Sequence, residues 1–167
     1  MSMNITKEER MNKISPCLWF DGTAQEAVDF YVSVFRNARI TNTLLHNEAS
    51  PGPVGSLLAV EFELDGEAFL ALNGGPEFQF TPAISMFVQC DDQAEIDHYW
   101  DKLLDGGQAM ACGWLTDRFG VTWQIAPRRL IGMLRDADPA KANRTMAKMR
   151  EMIKLDIAAL ERAYRGE

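Results

Sequence analysis

Histidine and cysteine are scarce in this chain of 167 residues, which carries two histidines, His46 and His98, and three cysteines, Cys17, Cys90 and Cys112. The cysteines are odd in number and form no C-x-x-C pair, so neither a zinc ribbon nor a disulfide framework is expected. Basic residues are outnumbered by acidic ones, 17 against 24, for a net charge of −7. That balance lacks the clustered Lys and Arg needed to neutralise a phosphate chain and excludes nucleic acid as a partner. No apolar run approaches the roughly 20 residues that span a bilayer, which excludes a membrane-embedded chain. The first 13 residues are polar and have no apolar stretch of the secretory type. A cytoplasmic protein with reduced thiols is the expectation.

What is present is an amphipathic helix written twice. One copy opens with Thr23 and Glu26 and carries Ala27, Phe30, Tyr31, Val34 and Phe35. The other opens with Asp92 and Glu95 and carries Ile96, Tyr99, Trp100, Leu103 and Leu104. Each pairs a capping residue with a glutamate three positions on, then sets apolar side chains at i, i+3, i+4, i+7 and i+8. Two equivalent supersecondary units are therefore expected, with a shared cleft between them as the place for a small molecule.

The flanking segments support the repeat. Ile14 to Phe20 reads as a strand feeding the first helix, and Arg39 to His46 as a second strand. Ser56 to Leu64 and Glu67 to Asn73 pair through the hairpin signal Asp65-Gly66. In the second half Ala83 to Cys90 feeds the second helix, which stops at Gly106-Gly107. Gln108 to Leu115 and Val121 to Ala126 read as strands around a turn at 117–120. The expected organisation is a polar segment 1–13, a βαβββ module 14–75, a linker 76–82, a shorter βαβββ module 83–127, and an amphipathic helix 138–165. That last helix opens with Asp138 as cap and Pro139 at its first position. Its stripe of Met146, Met149, Ile153, Ile157, Leu160 and Tyr164 fits either its own chain or a second subunit.

Two tandem strand-helix-strand-strand-strand units resemble the vicinal oxygen chelate superfamily of glyoxalases, extradiol dioxygenases and bleomycin-resistance proteins, and most closely its PhnB-like branch. The resemblance spans roughly Ile14 to Tyr164. It rests on Ile14 to Phe20, Ala71-Leu72-Asn73-Gly74-Gly75-Pro76, Tyr99-Trp100-Asp101-Lys102-Leu103, Cys112-Gly113-Trp114-Leu115 and Phe119-Gly120-Val121-Thr122-Trp123-Gln124-Ile125. It implies an α+β fold in which tandem βαβββ modules form a barrel-like cup, followed by the C-terminal helix, and it implies a homodimer.

Many active members hold a divalent metal through His or Glu on the first and last strands of each unit. Laid onto this chain, those positions fall at Pro16 or Cys17, Leu70 or Ala71, Ser85 or Met86, and Gln124. These side chains do not supply the charge that holds and polarises a hard cation, so no metal and no cofactor are expected. His46 and His98 read as structural, and Cys112 as a packed thiol. The methyltransferase label attached to PhnB-like proteins implies an adenosylmethionine site. Gly74-Gly75 and Gly106-Gly107 are better explained by turns and capping than by a cofactor loop. The resemblance thus leaves a cup lined by aromatic and amide groups. Its ligand-binding candidates are Trp19, Asn73, Phe87, Cys112, Trp114, Trp123 and Gln124, facing a small hydrophobic or aromatic molecule. The alternatives are a metal-dependent lyase, isomerase or dioxygenase of the same superfamily, and an interaction module acting through the C-terminal helix.

Overall fold

The computed structural model describes residues 13–167; the polar segment expected at 1–13 lies outside them except for Lys13. The chain divides into two units between Gln79 and Phe80, inside the expected linker.

In the first unit, β1 (Cys17–Phe20) leads into α1 (Ala24–Val34), followed by β2 (Ala38–Leu45), β3 (Leu57–Leu64) and β4 (Glu67–Asn73). The strands form one mixed sheet in the order β1-β4-β3-β2, with β1 parallel to β4 and the other pairs antiparallel. The β3–β4 hairpin closes through Asp65 and Gly66, both left-handed, the primed turn that the dipeptide announces. Leu18, Phe20, Val60, Phe62 and Ala71 alternate onto one buried face. There α1 lays Ala27, Val28, Tyr31 and Val34 against the sheet, with the Tyr31 ring stacked 6.4 Å from Phe62 and Phe62 5.3 Å from Phe69. The other face carries Cys17, Trp19, Leu70 and Leu72.

The second unit repeats that plan as β5 (Met86–Cys90), α2 (Gln93–Leu104), β6 (Gln108–Ala109), β7 (Trp114–Thr116) and β8 (Thr122–Pro127). Its strand order, β5-β8-β7-β6, is the same, with β5 parallel to β8. The two copied helices therefore occupy equivalent places. Leu115, Trp123 and Ile125 are fully buried on the helix side, with Ile96, Tyr99, Trp100 and Leu103 of α2. Both sheets are open, with β1 and β2 as the edges of one and β5 and β6 as the edges of the other.

The helix starts differ. At α2 the expected box forms: the Asp92 carboxylate accepts the Glu95 N–H at 2.8 Å, and the Glu95 carboxylate accepts the Asp91 N–H at 2.6 Å. At α1 the Thr23 side chain makes no cap, because its backbone (φ −104, ψ 14) has left the extended region. The cap comes instead from Asn73 on β4, whose Oδ1 accepts the Ala24 N–H at 2.9 Å.

The strand expected over Gln108 to Leu115 is interrupted. Cys112 and Gly113 both adopt positive φ, 61° and 81°, and turn the chain between β6 and β7. The helix expected over 138–165 is likewise two helices, α4 (Pro139–Arg150) and α5 (Ile157–Arg165), preceded by α3 (Leu130–Leu134). The same contact explains both departures. The Met152 and Ile153 carbonyls accept the Cys112 and Gly113 N–H groups at 2.8 and 2.7 Å, so they are unavailable to a continuing helix. The chain restarts at Asp156, whose side chain caps α5 through the Ala159 N–H.

These helices cover their own unit. Leu155 and Leu160 are buried with Ala126, Leu130 and Met133, and Met149, Met152 and Tyr164 pack against them. Gln93 at the start of α2 donates to the Leu155 carbonyl and accepts the Ile157 N–H. Lys154 reaches Asp97 at 2.6 Å and Asp101 at 3.3 Å on α2. Of the expected stripe, Met146 and Ile153 stay exposed. No helix among the described residues is long and apolar enough to cross a membrane.

Candidate functional site

Strand register decides which of the seven candidates meet. Gln124 on β8 lies opposite Phe87 on β5 and opposite Trp114 on β7. Directly paired residues share a face and stand about 5 Å apart. Phe87, Gln124 and Trp114 therefore form one row across three strands, on the face turned away from Trp123 and Leu115. Phe87 is 41% exposed, and Gln124 and Trp114 are half-buried. The Gln124 Nε2 donates to the Ser85 hydroxyl at 2.8 Å, which fixes the amide. Ser85 was weighed above only as a metal position.

The other four lie elsewhere. Trp123 was expected in the same lining, but it sits one residue from Gln124 and so points to the opposite face, where it is 2% exposed. Its indole N–H donates at 2.8 Å to Asp117, whose carboxylate also accepts the Phe119 and Val121 N–H groups. Asn73 is occupied at the α1 start, and its Nδ2 donates to the Leu57 carbonyl. Cys112 lies in the turn rather than on a strand. Arg118, the cation that could have activated it, donates instead to Asp105 at 2.6 Å. Trp19 belongs to the first unit, where its indole N–H donates to the Gly75 carbonyl at 2.8 Å. The Phe78 ring stands edge-on to Trp19 at 5.0 Å, so this part of the expected linker folds onto its own sheet.

No thiol among these is set up as a nucleophile. Burial, reinforced by Glu95, Asp91 and Asp92, pushes the Cys90 thiol up to about 12. Burial also raises Cys17. Both therefore stay protonated near neutrality. His46 is a loop clasp: its Nδ1 accepts the Gly52 N–H at 3.3 Å, and Gly52 lies so close to the ring that a side chain there would collide with it. His98 packs edge-on against Tyr99.

The donor set at the superfamily's metal positions does not fit a hard cation. Cys17 faces Leu70, and Met86 faces Trp123. The Gln124 amide is a neutral group already bonded to Ser85. Among the described residues no three of His, Cys, Asp and Glu gather as a metal site.

Two hollows lie on the C-terminal helices, away from this row. One, of about 500 Å³, is lined by Arg128, Arg129, Met133, Glu161, Tyr164 and Arg165. Its arginines pair with Asp91, Glu161 and Glu167. The other, of about 370 Å³, lies between Arg144, Lys148 and Glu167. Both are grooves between helices whose charges are matched.

Residues 12–126 match the family described as 3-demethylubiquinone-9 3-methyltransferase. A Bacillus cereus PhnB protein described by the same activity is 34% identical, with 70% of this chain and 98% of that chain covered and a TM-score of 0.63. Protein PA1353 from Pseudomonas aeruginosa is 22% identical over 70% of this chain and 98% of its own, with a TM-score of 0.57, and shares the fold. No curated protein matches the chain.

Proposed function

This chain belongs to the 3-demethylubiquinone-9 3-methyltransferase family of PhnB-like proteins, and from that premise we propose that it binds a small, uncharged ring molecule against the second sheet. It does so as a metal-free member of the vicinal oxygen chelate superfamily. The observation that carries this reading is the row Phe87–Gln124–Trp114, two aromatic side chains flanking one anchored amide. Aromatic groups supply apolar area at small entropic cost, and a single oriented amide fixes the ligand's position.

Methyl transfer is not part of this reading. Gly74 packs against the Trp19 ring, the Gly75 carbonyl accepts from that indole, and Gly106 turns the chain after α2. These glycines serve packing and turns rather than a cofactor's approach. A homodimer in the cytoplasm remains part of the proposal on family resemblance.

Calorimetric titration with naphthalene, a bare ring probe, tests the reading. Binding that is lost in Trp114→Ala and retained in Trp19→Ala supports it. Absence of binding, or binding indifferent to Trp114, contradicts it. Metal analysis of protein purified without chelator is the companion test, and a stoichiometric metal would favour the metal-dependent alternative.

A further inference from the structure

Beside the aromatic row runs a second one that no candidate residue anticipated. Thr122 on β8 lies opposite Thr116 on β7, and Thr116 lies opposite Gln108 on β6. Alternation along β8 puts Thr122 on the same face as Gln124, and alternation along β7 puts Thr116 beside Trp114. Ser85, two residues before Phe87, joins the same end through its bond to Gln124. The face thus carries an aromatic–amide–aromatic row next to a hydroxyl row of Thr116, Thr122 and Ser85, and none of these side chains is charged.

The hydrogen bonding of this patch is incomplete. Thr122 is 1% exposed. Among the described residues, its Oγ1 is the buried side-chain polar atom left without a hydrogen-bond partner. Nearly all buried hydroxyls are satisfied, so such an atom calls for an account. Gln124 spends its Nε2 on Ser85, which leaves its Oε1 as an acceptor and the Ser85 proton as a donor. An acceptor and two donors at adjacent positions match a pair of neighbouring oxygens, at least one bearing a proton. A carboxylate would meet the Gln124 lone pairs with no cation to offset them. Three strands at about 5 Å spacing and two residues at about 3.3 Å rise make a patch roughly 10 by 7 Å, the size of one or two fused rings.

We propose that this face recognises an uncharged flat ring through two adjacent oxygen substituents, a diol or hydroxy-ketone edge. The ring lies along Phe87 and Trp114, and the oxygens meet Gln124 and the hydroxyls of Ser85 and Thr122. The proposal rests on the ring-binding reading above and adds the chemistry of the recognised edge.

The test compares naphthalene-2,3-diol, naphthalene and 2-naphthoate on the full chain. The diol binds at least tenfold tighter than naphthalene, and the carboxylate binds no tighter than naphthalene. Thr122→Val, which keeps the shape and removes the orphan hydroxyl, weakens the diol about tenfold, leaves naphthalene unchanged and raises Tm. Gln124→Leu gives the same binding pattern by an independent route. A diol no tighter than naphthalene, or diol affinity untouched by both variants, overturns this inference while leaving ring binding intact. Failure of naphthalene and diol alike overturns both.

Discussion

The two units share one topology and spend their polar groups differently. In the first, the face away from the helix is apolar where Trp19, Leu70 and Leu72 stand, and Trp19 is occupied by Gly75 and Phe78. In the second, the equivalent face carries hydroxyls and an amide with unspent hydrogen-bonding capacity. The helix caps show the reverse division. The first unit takes its cap from a distant strand, whereas the second closes its own helix with Asp92 and Glu95. Duplication preserves the backbone plan, because strand order and the buried face are set by hydrophobic alternation. The outward face is free to diverge.

Several substitutions sharpen or break this contrast. The largest effect is expected at Phe62, held between Tyr31 and Phe69. Phe62→Ala removes about 3–5 kcal/mol from the first unit in urea unfolding. Leu155→Ala removes about 2–5 kcal/mol from the second, and it should unlock the 112–113 turn, seen as faster amide exchange there. An unchanged exchange rate would mean that the turn holds without the C-terminal segment.

Asp117→Asn comes next. Its amide can keep the two backbone donors but sets an N–H against the Trp123 indole N–H, so a loss of about 1–3 kcal/mol is expected by the same unfolding measurement. Asn73→Ala and Asp92→Ala then compare the two caps directly. Each costs about 0.5–2 kcal/mol. Asn73→Ala costs the more, because it also frees the Leu57 carbonyl. Equal losses would show that the distant cap is no more than a cap.

Alkaline titration gives a difference between thiols. Cys90 is raised in the folded state to about 12 from an ordinary value of 9.0. Its contribution to stability is therefore complete below pH 9 and is lost as the pH rises toward 12. Cys90→Ala should remove up to about 1.4 kcal/mol per pH unit of that slope. An identical slope in the variant would show that the thiol is not held protonated. The smallest effect is expected at Lys154→Ala, about 0.2–1 kcal/mol, since its pairs with Asp97 and Asp101 are partly exposed.

The repeat was legible because hydrophobic spacing and turn chemistry act locally. Asp65-Gly66 specified the hairpin, Asp138-Pro139 the start of α4, and the two helical stripes their buried faces. The break in the C-terminal helix was not legible, because Met149, Ile153 and Ile157 keep a four-residue spacing through it. The partners that divert the Met152 and Ile153 carbonyls stand some 40 residues away in sequence, at Cys112 and Gly113. For the site, Phe87, Trp114 and Gln124 were named correctly as residue types, but only strand register shows that they share a row. Trp123 was placed in that lining although its adjacency to Gln124 already assigns it to the other face. Thr122 could have been found by the same parity, since it stands two residues from Gln124.

The most direct test of this division of labour is amide chemical-shift mapping during titration with naphthalene-2,3-diol. The largest shifts are predicted at residues 85–87, 114–116 and 122–124. Largest shifts on β1 and β4, or on α4 and α5, would contradict the account.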